Sequence, residues 1–417
     1  MDTGFSRLLI LCLLVIPASY VHAQNLSEDQ INGVKARLRE GAKQSWELGT
    51  MAQALIEYDT PSYSVTNGSA VPPPQSNPPT SLDEVFGVTK TVVAGRAKSN
   101  GDLTGAQPLI QDGSAADPAS LGVAVLLANW TGRGAVDGVD YAQAAEDQLS
   151  YLLNQVPRTS DGAISHRVSE VQLWSDFVYM VPPFLAYYGV LANNQSLVSE
   201  AYNQIKLYRK YLLDTNANGL WKHIAMGSKI PPDDGHWSTG NGWAAAGMLR
   251  VQGTIKNSPL SKKFKNEQKD LSNWVSEILN AMYPHMNSDG LFTNYADNGN
   301  TFPDAASAAL LASVTYRHAL LNKVHKNLPS AEQSRLAISS KNFDSDMWLQ
   351  PVVNPHSFGQ AGSKSPEGQA FVVEMQAAWK DWIAVGAPGA NAAGRAVVGA
   401  GWTLWAGALG VGYFTIW

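Results

Sequence analysis

Cysteine is almost absent from this sequence, because Cys12 is the only one among 417 residues. It lies in an apolar N-terminal segment that we expect to be removed during secretion. The mature chain is therefore predicted to contain no disulfide, no thiol nucleophile and no cysteine-based metal site. Its stability must then come from a large hydrophobic core.

Charged residues are also scarce, since they make up 16% of the chain and leave a net charge of -5 at pH 7. A nucleic-acid-binding protein needs a basic face, so this balance argues against that class. A hydrophobic share of 45% excludes disorder for most of the chain. The 13 Trp and 15 Tyr residues suit stacking on sugar rings, and they suit a large aromatic core equally well.

Sustained strand alternation is absent, and apolar residues recur at helical spacing instead. This pattern predicts an all-α chain of about ten to twelve helices between residues 24 and 388. No repeat of fixed length is visible, which favours a closed toroid of α-hairpins over an open solenoid. Pro61 to Pro108 is interpreted as a long loop. The helical segments are Gln30 to Ile56, Ala119 to Trp130, Tyr141 to Val156, Leu197 to Leu213, Trp243 to Ile255, Leu271 to Met282, Ala305 to Leu321, Ala331 to Ser339 and Gly368 to Val385.

The N-terminus has the pattern of a secretory signal peptide. Arg7 precedes an apolar run from Leu8 to Ile16, which is too short to span a bilayer. Val21-His22-Ala23 supplies small residues where a signal peptidase cuts, so we expect cleavage after Ala23 and a secreted protein. Asn-x-Ser/Thr triplets in a secreted chain are candidate glycan sites. They begin at Asn25, Asn67, Asn129 and Asn194.

The C-terminus, residues 389–417, lacks charge after Arg395. Small residues from Gly389 to Gly394 precede a glycine-rich apolar tail, which is the pattern of a GPI-attachment signal. A GPI anchor would attach the protein to the cell surface. Two alternatives stay open, a packed last helix and a retained membrane helix.

Asp176 is the first candidate for chemistry, because it lies beside Trp174, Phe177 and Tyr179. Desolvation among these rings should raise the pKa of its carboxyl group, as a general acid requires. Pro182-Pro183 mark a helix start or kink, so Asp176 should lie near a helix N-terminus, whose dipole opposes that rise. An Asp in this position could instead be a helix N-cap or a buried hydrogen-bonding residue without a catalytic role.

A second group of candidates combines aromatic rings with glycine and histidine. Trp237 and Trp243 flank Gly240 and Gly242, which suits either sugar stacking or core packing. His223 and His236 could hydrogen-bond hydroxyl or carboxylate groups. No third ligand follows at a recognisable spacing, so no metal site is expected.

Asp117 is the candidate second carboxylate, which most glycosidase schemes require. It directly precedes Pro118, and an Asp-Pro pair is also a normal helix start with the Asp as N-cap.

The order of these segments resembles glycoside hydrolase family 105, the unsaturated rhamnogalacturonyl hydrolases, with family 88 as a relative. The similarity covers roughly residues 110 to 385. The matching segments are Asp161 to His166, Trp174 to Ala186, Gly219 to His223, Trp237 to Trp243, Asp117, Ala305 to Ala309 and Ser365 to Phe371.

The resemblance implies an (α/α)6 barrel, a six-hairpin toroid over residues 24–388, with its site in the central funnel. The implied substrate is an oligosaccharide whose nonreducing uronic acid carries a C4=C5 double bond, as a polysaccharide lyase leaves it. An acid protonates C4, water adds at C5, and the hemiketal opens to release the next sugar.

The resemblance also assigns roles to individual residues. Asp176 is the implied proton donor and then the base for water, and Asp117 is the implied assisting carboxyl. No cofactor and no metal are implied, and the only implied partner is the oligosaccharide. The implied substrate-binding residues are His166, His223, Trp237, Thr239, Trp243 and Ser307.

Thr239 departs from the family pattern, which has Arg at this position. Arg offers a bidentate fork for anionic groups, whereas Thr offers one hydroxyl. Lys222, next to Trp221, or Arg167 could supply a compensating cation. The substitution keeps two alternatives open: a hydrolase or lyase of the same fold that acts on another uronic-acid polysaccharide, and a non-catalytic surface carbohydrate-binding protein.

Overall fold

A computed structural model describes residues 25–101, 104–229 and 231–390. Thirteen α-helices run through these residues. They are α1 (Glu28–Gly41), α2 (Ser45–Asp59), α3 (Asp83–Ser99), α4 (Gly122–Trp130), α5 (Arg133–Asp137), α6 (Tyr141–Asn154), α7 (Phe177–Leu191), α8 (Gln195–Leu212), α9 (Ser238–Lys256), α10 (Lys265–Met282), α11 (Ala305–Asn322), α12 (Leu328–Lys341) and α13 (Pro366–Ala384).

Six helices form an inner ring, in which α2, α4, α7, α9, α11 and α13 each contact the next and α13 closes onto α2. The outer helices α1, α3, α6, α8, α10 and α12 pack against this ring. The prediction of an all-α, six-hairpin toroid is thereby confirmed.

Burial separates the two rings. Every residue of α9 from Ser238 to Ile255 is buried. In contrast, α10 buries a stripe that includes Leu271, Val275 and Ile278, spaced one helical turn apart. A helix that packs on all sides must be apolar all round, whereas an outer helix needs only one apolar face.

Two helical predictions need correction. The segment from Gln30 to Ile56 forms two helices, because a break at Ala42–Gln44 separates α1 from α2. Glu47 accepts the backbone amides of Lys43 and Gln44, which starts the second helix. The expected loop from Pro61 to Pro108 contains α3, whose apolar residues form too weak a stripe to be recognised by periodicity.

Glycine allows the inner helices to approach closely. A Cβ on Gly247 of α9 would lie 2.1 Å from the carbonyl oxygen of Val178 in α7. A Cβ on Gly122 of α4 would lie 2.3 Å from the Phe184 ring. At these two glycines the inner helices are therefore too close together to admit a larger residue.

Short antiparallel strand pairs occupy the loops that lead into the inner helices. They lie in the loops before α7, α9, α11 and α13. The pairs are β1 (Leu173–Trp174) with β4 (Ile224–Ala225), β2 (Leu213–Asp214) with β3 (Leu220–Trp221), β5 (Phe292–Thr293) with β6 (Pro303–Asp304), and β7 (Val352–Asn354) with β8 (Ser357–Gly362).

A charged network lies inside the ring. Arg317 of α11 donates to Glu57 of α2 at 2.9 Å and also pairs with Asp381. Tyr179 donates to Glu374 at 2.7 Å, and burial raises the pKa of Glu374 to about 8. Glu57, Tyr179, Arg317 and Glu374 line a cavity of about 20 Å³, roughly the space of one water molecule.

The expected signal peptide, residues 1–23, and almost all of the C-terminal segment 389–417 lie outside the described residues. Within the described part of the chain, no helix combines the length and the apolar character needed to cross a bilayer. The four sequon asparagines, Asn25, Asn67, Asn129 and Asn194, are all exposed.

Candidate active site

Acidic side chains collect at the N-terminal ends of the inner helices. Helix N-termini carry partial positive charge and unpaired amide groups, so they stabilise carboxylates and anionic ligands. This end of the barrel is therefore where a polar ligand is best accommodated. The acidic residues are Glu47 at α2, Asp117 before α4, Asp176 at α7, Asp304 at α11 and Glu367 at α13.

Two of these carboxyl groups face one imidazole. Nε2 of His166 lies 3.6 Å from Oδ1 of Asp117, and Nδ1 of His166 lies 3.7 Å from Oδ1 of Asp176. The side chains of Asp117 and Asp176 are 11% and 14% exposed, and that of His166 is 2% exposed. Both Oδ1 atoms and the Nδ1 atom lack a hydrogen-bond partner. The group therefore offers unsatisfied polar atoms to a ligand.

Burial sets the protonation of this group. It raises the pKa of Asp176 to about 7, against the backbone amides at the start of α7. Burial and the neighbouring Asp176 raise the pKa of Asp117 well above its usual range. Burial also lowers the pKa of His166 far below 6.5, so the imidazole is neutral. Near pH 7 Asp176 can both give and take a proton, as the sequence predicts for a carboxyl flanked by aromatic rings.

Local sequence explains the position of Asp176. It is the N-cap of α7, and its side chain makes no capping bond, so the carboxyl remains available. Pro182 and Pro183 lie inside α7, which begins five residues before them.

Aromatic side chains wall the space above the carboxyl groups. His166 stacks on Trp174 with ring centroids 4.9 Å apart. His223 contacts Trp174 edge-on at 5.3 Å, Trp237 at 4.6 Å and Phe358 at 4.4 Å. Indole and phenyl faces of this kind pack well on the apolar faces of sugar rings.

His223 has a defined tautomer. Its Nδ1 lies 2.9 Å from Oδ2 of Asp233, which also accepts the hydroxyl of Tyr295 at 2.5 Å. Burial lowers the pKa of His223, so the ring is neutral and Nδ1 carries the proton that Asp233 accepts. Nε2 has no partner and is left to accept a hydrogen bond from a hydroxyl group.

Three other predicted binding residues are buried near the starts of α9 and α11. Trp243 is 2% exposed and packs edge-on against Tyr179 and Phe371. Thr239 donates to Oδ2 of Asp304 at 2.8 Å, and the hydroxyl of Ser307 donates to the Asp304 carbonyl at 2.9 Å. As direct substrate contacts these three residues stay predictions.

The structure thus brings Asp117, Asp176, His166, His223 and Trp237 to one place. Two adjoining residues escaped the sequence analysis. Phe358 lies on the β7–β8 hairpin, about 120 residues along the chain from Trp237, and its sequence gave no signal. Asp304 could have been recognised as a helix cap, since it precedes an alanine-rich helical run.

The closest set of metal-ligand atoms is again Asp117, His166 and Asp176, which each offer one atom within 4.8 Å of the others. Ligands of one cation at bond lengths of about 2.0–2.6 Å are separated by about 3–5 Å, so the spacing could admit an ion. The raised carboxyl pKa values fit proton transfer more directly.

Sequence comparison identifies relatives with known chemistry. Residues 125–350 match the sequence profile of Glycosyl Hydrolase Family 88. The chain is 22% identical over 180 residues to the unsaturated rhamnogalacturonyl hydrolase YesR of Bacillus subtilis, which covers 42% of this chain and 50% of that protein. It is 27% identical over 114 residues to an unsaturated 3S-rhamnoglycuronyl hydrolase of Formosa agariphila, which covers 25% of this chain and 30% of that protein. The matched region thus spans half or less of these curated relatives.

Structure comparison agrees on the fold. A possible member of the GH105 family from Salmonella enterica serovar Paratyphi A superposes with a TM-score of 0.62. The alignment has 16% sequence identity and covers 90% of this chain and 99% of the other. At this identity the likeness shows the six-hairpin fold alone.

Proposed function

The chain belongs to glycosyl hydrolase family 88, and on that premise we propose that it hydrolyses unsaturated uronyl oligosaccharides of the rhamnogalacturonan type. The observation that carries the proposal is the group of Asp117, His166 and Asp176. Two carboxyl groups of raised pKa face a neutral imidazole beneath an aromatic wall. This arrangement suits an enzyme that must protonate a carbon atom near neutral pH.

Asp176 is the proposed acid and base. Its carboxyl proton transfers to C4 of the unsaturated ring, and the π electrons of the C4=C5 bond form the new C–H bond. Water then attacks C5 and gives a proton back to Asp176, which restores the carboxyl group. The resulting C5 hemiketal breaks its C5–O5 bond and becomes a ketone. O5 becomes a hydroxyl at C1, and C1 expels the next sugar as it becomes an aldehyde.

The neighbouring residues have proposed binding roles. Burial favours the protonated form of Asp117, which can donate to a ring hydroxyl, and the unpartnered Nε2 of His223 can accept from one. His166 and Trp237 border the space in which the ring would lie. Thr239, Trp243 and Ser307 are buried in the first turns of α9 and α11 and complete the proposed binding set.

The proposal is tested by following the ultraviolet absorbance of the conjugated double bond over time. Purified protein is mixed with lyase-generated rhamnogalacturonan oligosaccharides, alongside Asp176→Asn. We expect the absorbance to decay with wild type and to decay about 10²- to 10⁴-fold more slowly with the variant.

Asp234→Asn is the matched control, since Asp234 is an exposed carboxylate in the same loop region and pairs with Lys222. It should retain full activity. Absence of decay with wild type on several unsaturated uronides would contradict the proposal. It would direct attention to saturated substrates, to lyase activity or to binding without turnover.

We further propose that the protein is secreted, cleaved after Ala23 and carried at the cell surface by a GPI anchor attached within 389–394. The residue patterns of both termini support this, and so does the exposure of the four sequon asparagines. N-terminal sequencing, release by phosphatidylinositol-specific phospholipase C and a mass shift on deglycosylation test the three parts. A protein retained inside the cell with its N-terminus intact would refute them.

A further inference from the structure

Arg167 places an uncompensated positive charge beside the site. It follows His166 directly in the chain, and its guanidinium carbon lies 5.7 Å from the ring centroid of Trp174. Its Nε is buried without a hydrogen-bond partner. One Nη lies 3.3 Å from the position that a Cβ would take on Gly113, so this glycine leaves room for the side chain.

The charge of Arg167 acts on the acidic residues of the site without forming an ion pair. It lowers the pKa of Asp112, Asp117 and Asp176, although burial dominates and raises all three. Asp112 already accepts hydrogen bonds from the Ser45 hydroxyl at 2.5 Å and the Ser114 amide at 2.7 Å. Burial disfavours the charged forms of Asp117 and Asp176, which weakens their compensation of the Arg167 charge. A half-buried guanidinium in this state is available for an anion supplied by a ligand.

Two other cations of the described residues are paired with carboxylates. Lys222 donates to Asp234 at 2.7 Å, and Lys210 donates to Asp161 at 2.6 Å. Position 239 holds a threonine, whose hydroxyl is taken by Asp304. Unlike these two lysines, Arg167 has no ion-pair partner among the described residues, and its Nε is buried without a hydrogen bond.

We infer that Arg167 binds the carboxylate of the unsaturated uronyl group and selects uronides over neutral sugars. This inference rests on the proposed function. The carboxyl carbon is bonded to C5 and lies about 2.5 Å from C4, two bonds away. The proton donor for C4 and the anchor for the carboxylate must therefore be neighbours, as Asp176 and Arg167 are across His166 and Trp174. A guanidinium fork matches a carboxylate in two parallel hydrogen bonds.

The anchor should act on binding more than on chemistry. Arg167→Met keeps the length of the side chain and removes its charge and donors, and Arg167→Lys keeps the charge alone. Each variant is assayed on an unsaturated uronyl disaccharide and on its methyl ester, which has the same ring and no negative charge. Thermal unfolding checks that each variant is folded.

For Arg167→Met we expect KM for the free acid to rise about 10- to 100-fold, with kcat changed less than threefold. KM for the methyl ester should change less than threefold, and Arg167→Lys should recover part of the loss. Lys222→Met, which removes a paired cation, should leave both substrates unaffected. Equal effects of Arg167→Met on acid and ester, or none on either, would overturn the inference.

Failure of the proposed function can be told apart from failure of this inference. If wild type converts neither substrate, the proposed hydrolysis fails, and binding is measured through the fluorescence of Trp174 and its neighbours. Stronger binding of glucuronate than of glucose by wild type, lost in Arg167→Met, would support the anchor. No preference for glucuronate in wild type would overturn it.

Discussion

Nδ1 of His166 lies 3.7 Å from Oδ1 of Asp176, just beyond hydrogen-bond distance. Because burial keeps the imidazole neutral, it does not hold Asp176 in the ionised state as a cationic partner would. The proton on Asp176 therefore remains available for substrate. Five predictions test this site and the barrel that builds it.

Activity should depend on the protonated form of Asp176. Burial raises its pKa to about 7, so the acid is present below that pH and is lost above it. We expect kcat/KM to fall about tenfold per pH unit above about pH 7, provided that proton donation limits the rate. Arg167→Met should move this limb to higher pH, since the guanidinium lowers the pKa of Asp176. A flat profile from pH 6 to pH 8 would contradict the assignment.

Asp176→Asn should stabilise the fold at neutral pH while it removes activity. The pKa of the carboxyl is higher in the folded state than in the unfolded chain, so the unfolded chain ionises first as pH rises. Between about pH 4 and 7 the wild-type carboxyl therefore costs up to about 1.4 kcal/mol of unfolding free energy per pH unit. Thermal unfolding should show a higher Tm for the variant at pH 7.5 and the same Tm at pH 4. If the variant and the wild type had equal Tm values at both pH 7.5 and pH 4, a raised pKa of Asp176 would be excluded.

Gly247→Ala should destabilise the barrel. The new methyl group would meet backbone atoms of Val178, which cannot move aside without separating α7 from α9. We expect a loss of about 2–4 kcal/mol in unfolding free energy. Gly95→Ala is the matched control, because Gly95 lies on the exposed face of α3 with nothing within 4 Å. Gly95→Ala should raise the free energy of unfolding by about 0.5–1 kcal/mol. If urea unfolding showed Gly95→Ala to be less stable than Gly247→Ala, the packing argument would be contradicted.

Asp304→Ala should loosen three segments at once. Its carboxylate accepts the Thr239 hydroxyl at 2.8 Å, the Ser307 amide at 3.0 Å and the Val353 amide at 3.1 Å. Buried amides left without an acceptor cost about 1–3 kcal/mol each, so we expect a total loss of at least about 2 kcal/mol. Thr239→Val removes only one of these bonds and should cost about 1 kcal/mol. Chemical denaturation measures the unfolding free energy of both variants. If Asp304→Ala and Thr239→Val lost equal amounts, Asp304 would not bridge the segments.

Phe358→Ala should weaken substrate binding more than catalysis. The Phe358 ring contacts Trp174 edge-on, 5.8 Å between centroids, and the proposed proton transfer uses no side chain of its hairpin. We expect KM to rise about 3- to 10-fold with kcat nearly unchanged, since an aromatic contact contributes about 0.5–1.5 kcal/mol. Tyr211→Ala, on the outer helix α8, is the control and should leave KM unchanged. A large loss of kcat would instead assign Phe358 a role in the reaction.

Much of the local structure could be predicted from local sequence. Ser27 caps α1 with its side chain, and Asp176 directly precedes α7, because the start of a helix depends on a few adjacent residues. The aromatic residues beside Asp176 predicted its raised pKa, since Trp174, Phe177 and Tyr179 are close to it in the chain. Helix α3 was missed because its apolar stripe is weak and its position depends on the barrel around it.

The sequence by itself determined that this chain is helical, that Asp176 lies near a helix start, and that aromatic residues flank its carboxyl group. These properties follow from neighbours along the chain. Only the tertiary structure decided that His166 lies between Asp117 and Asp176, that Phe358 closes the wall, that Asp304 holds Thr239, and that Arg167 is left unpaired. The contacts of His166, Phe358 and Asp304 join residues that are far apart in the chain. Closure of the ring and its loops brings these residues together, and no local sequence pattern predicts their proximity.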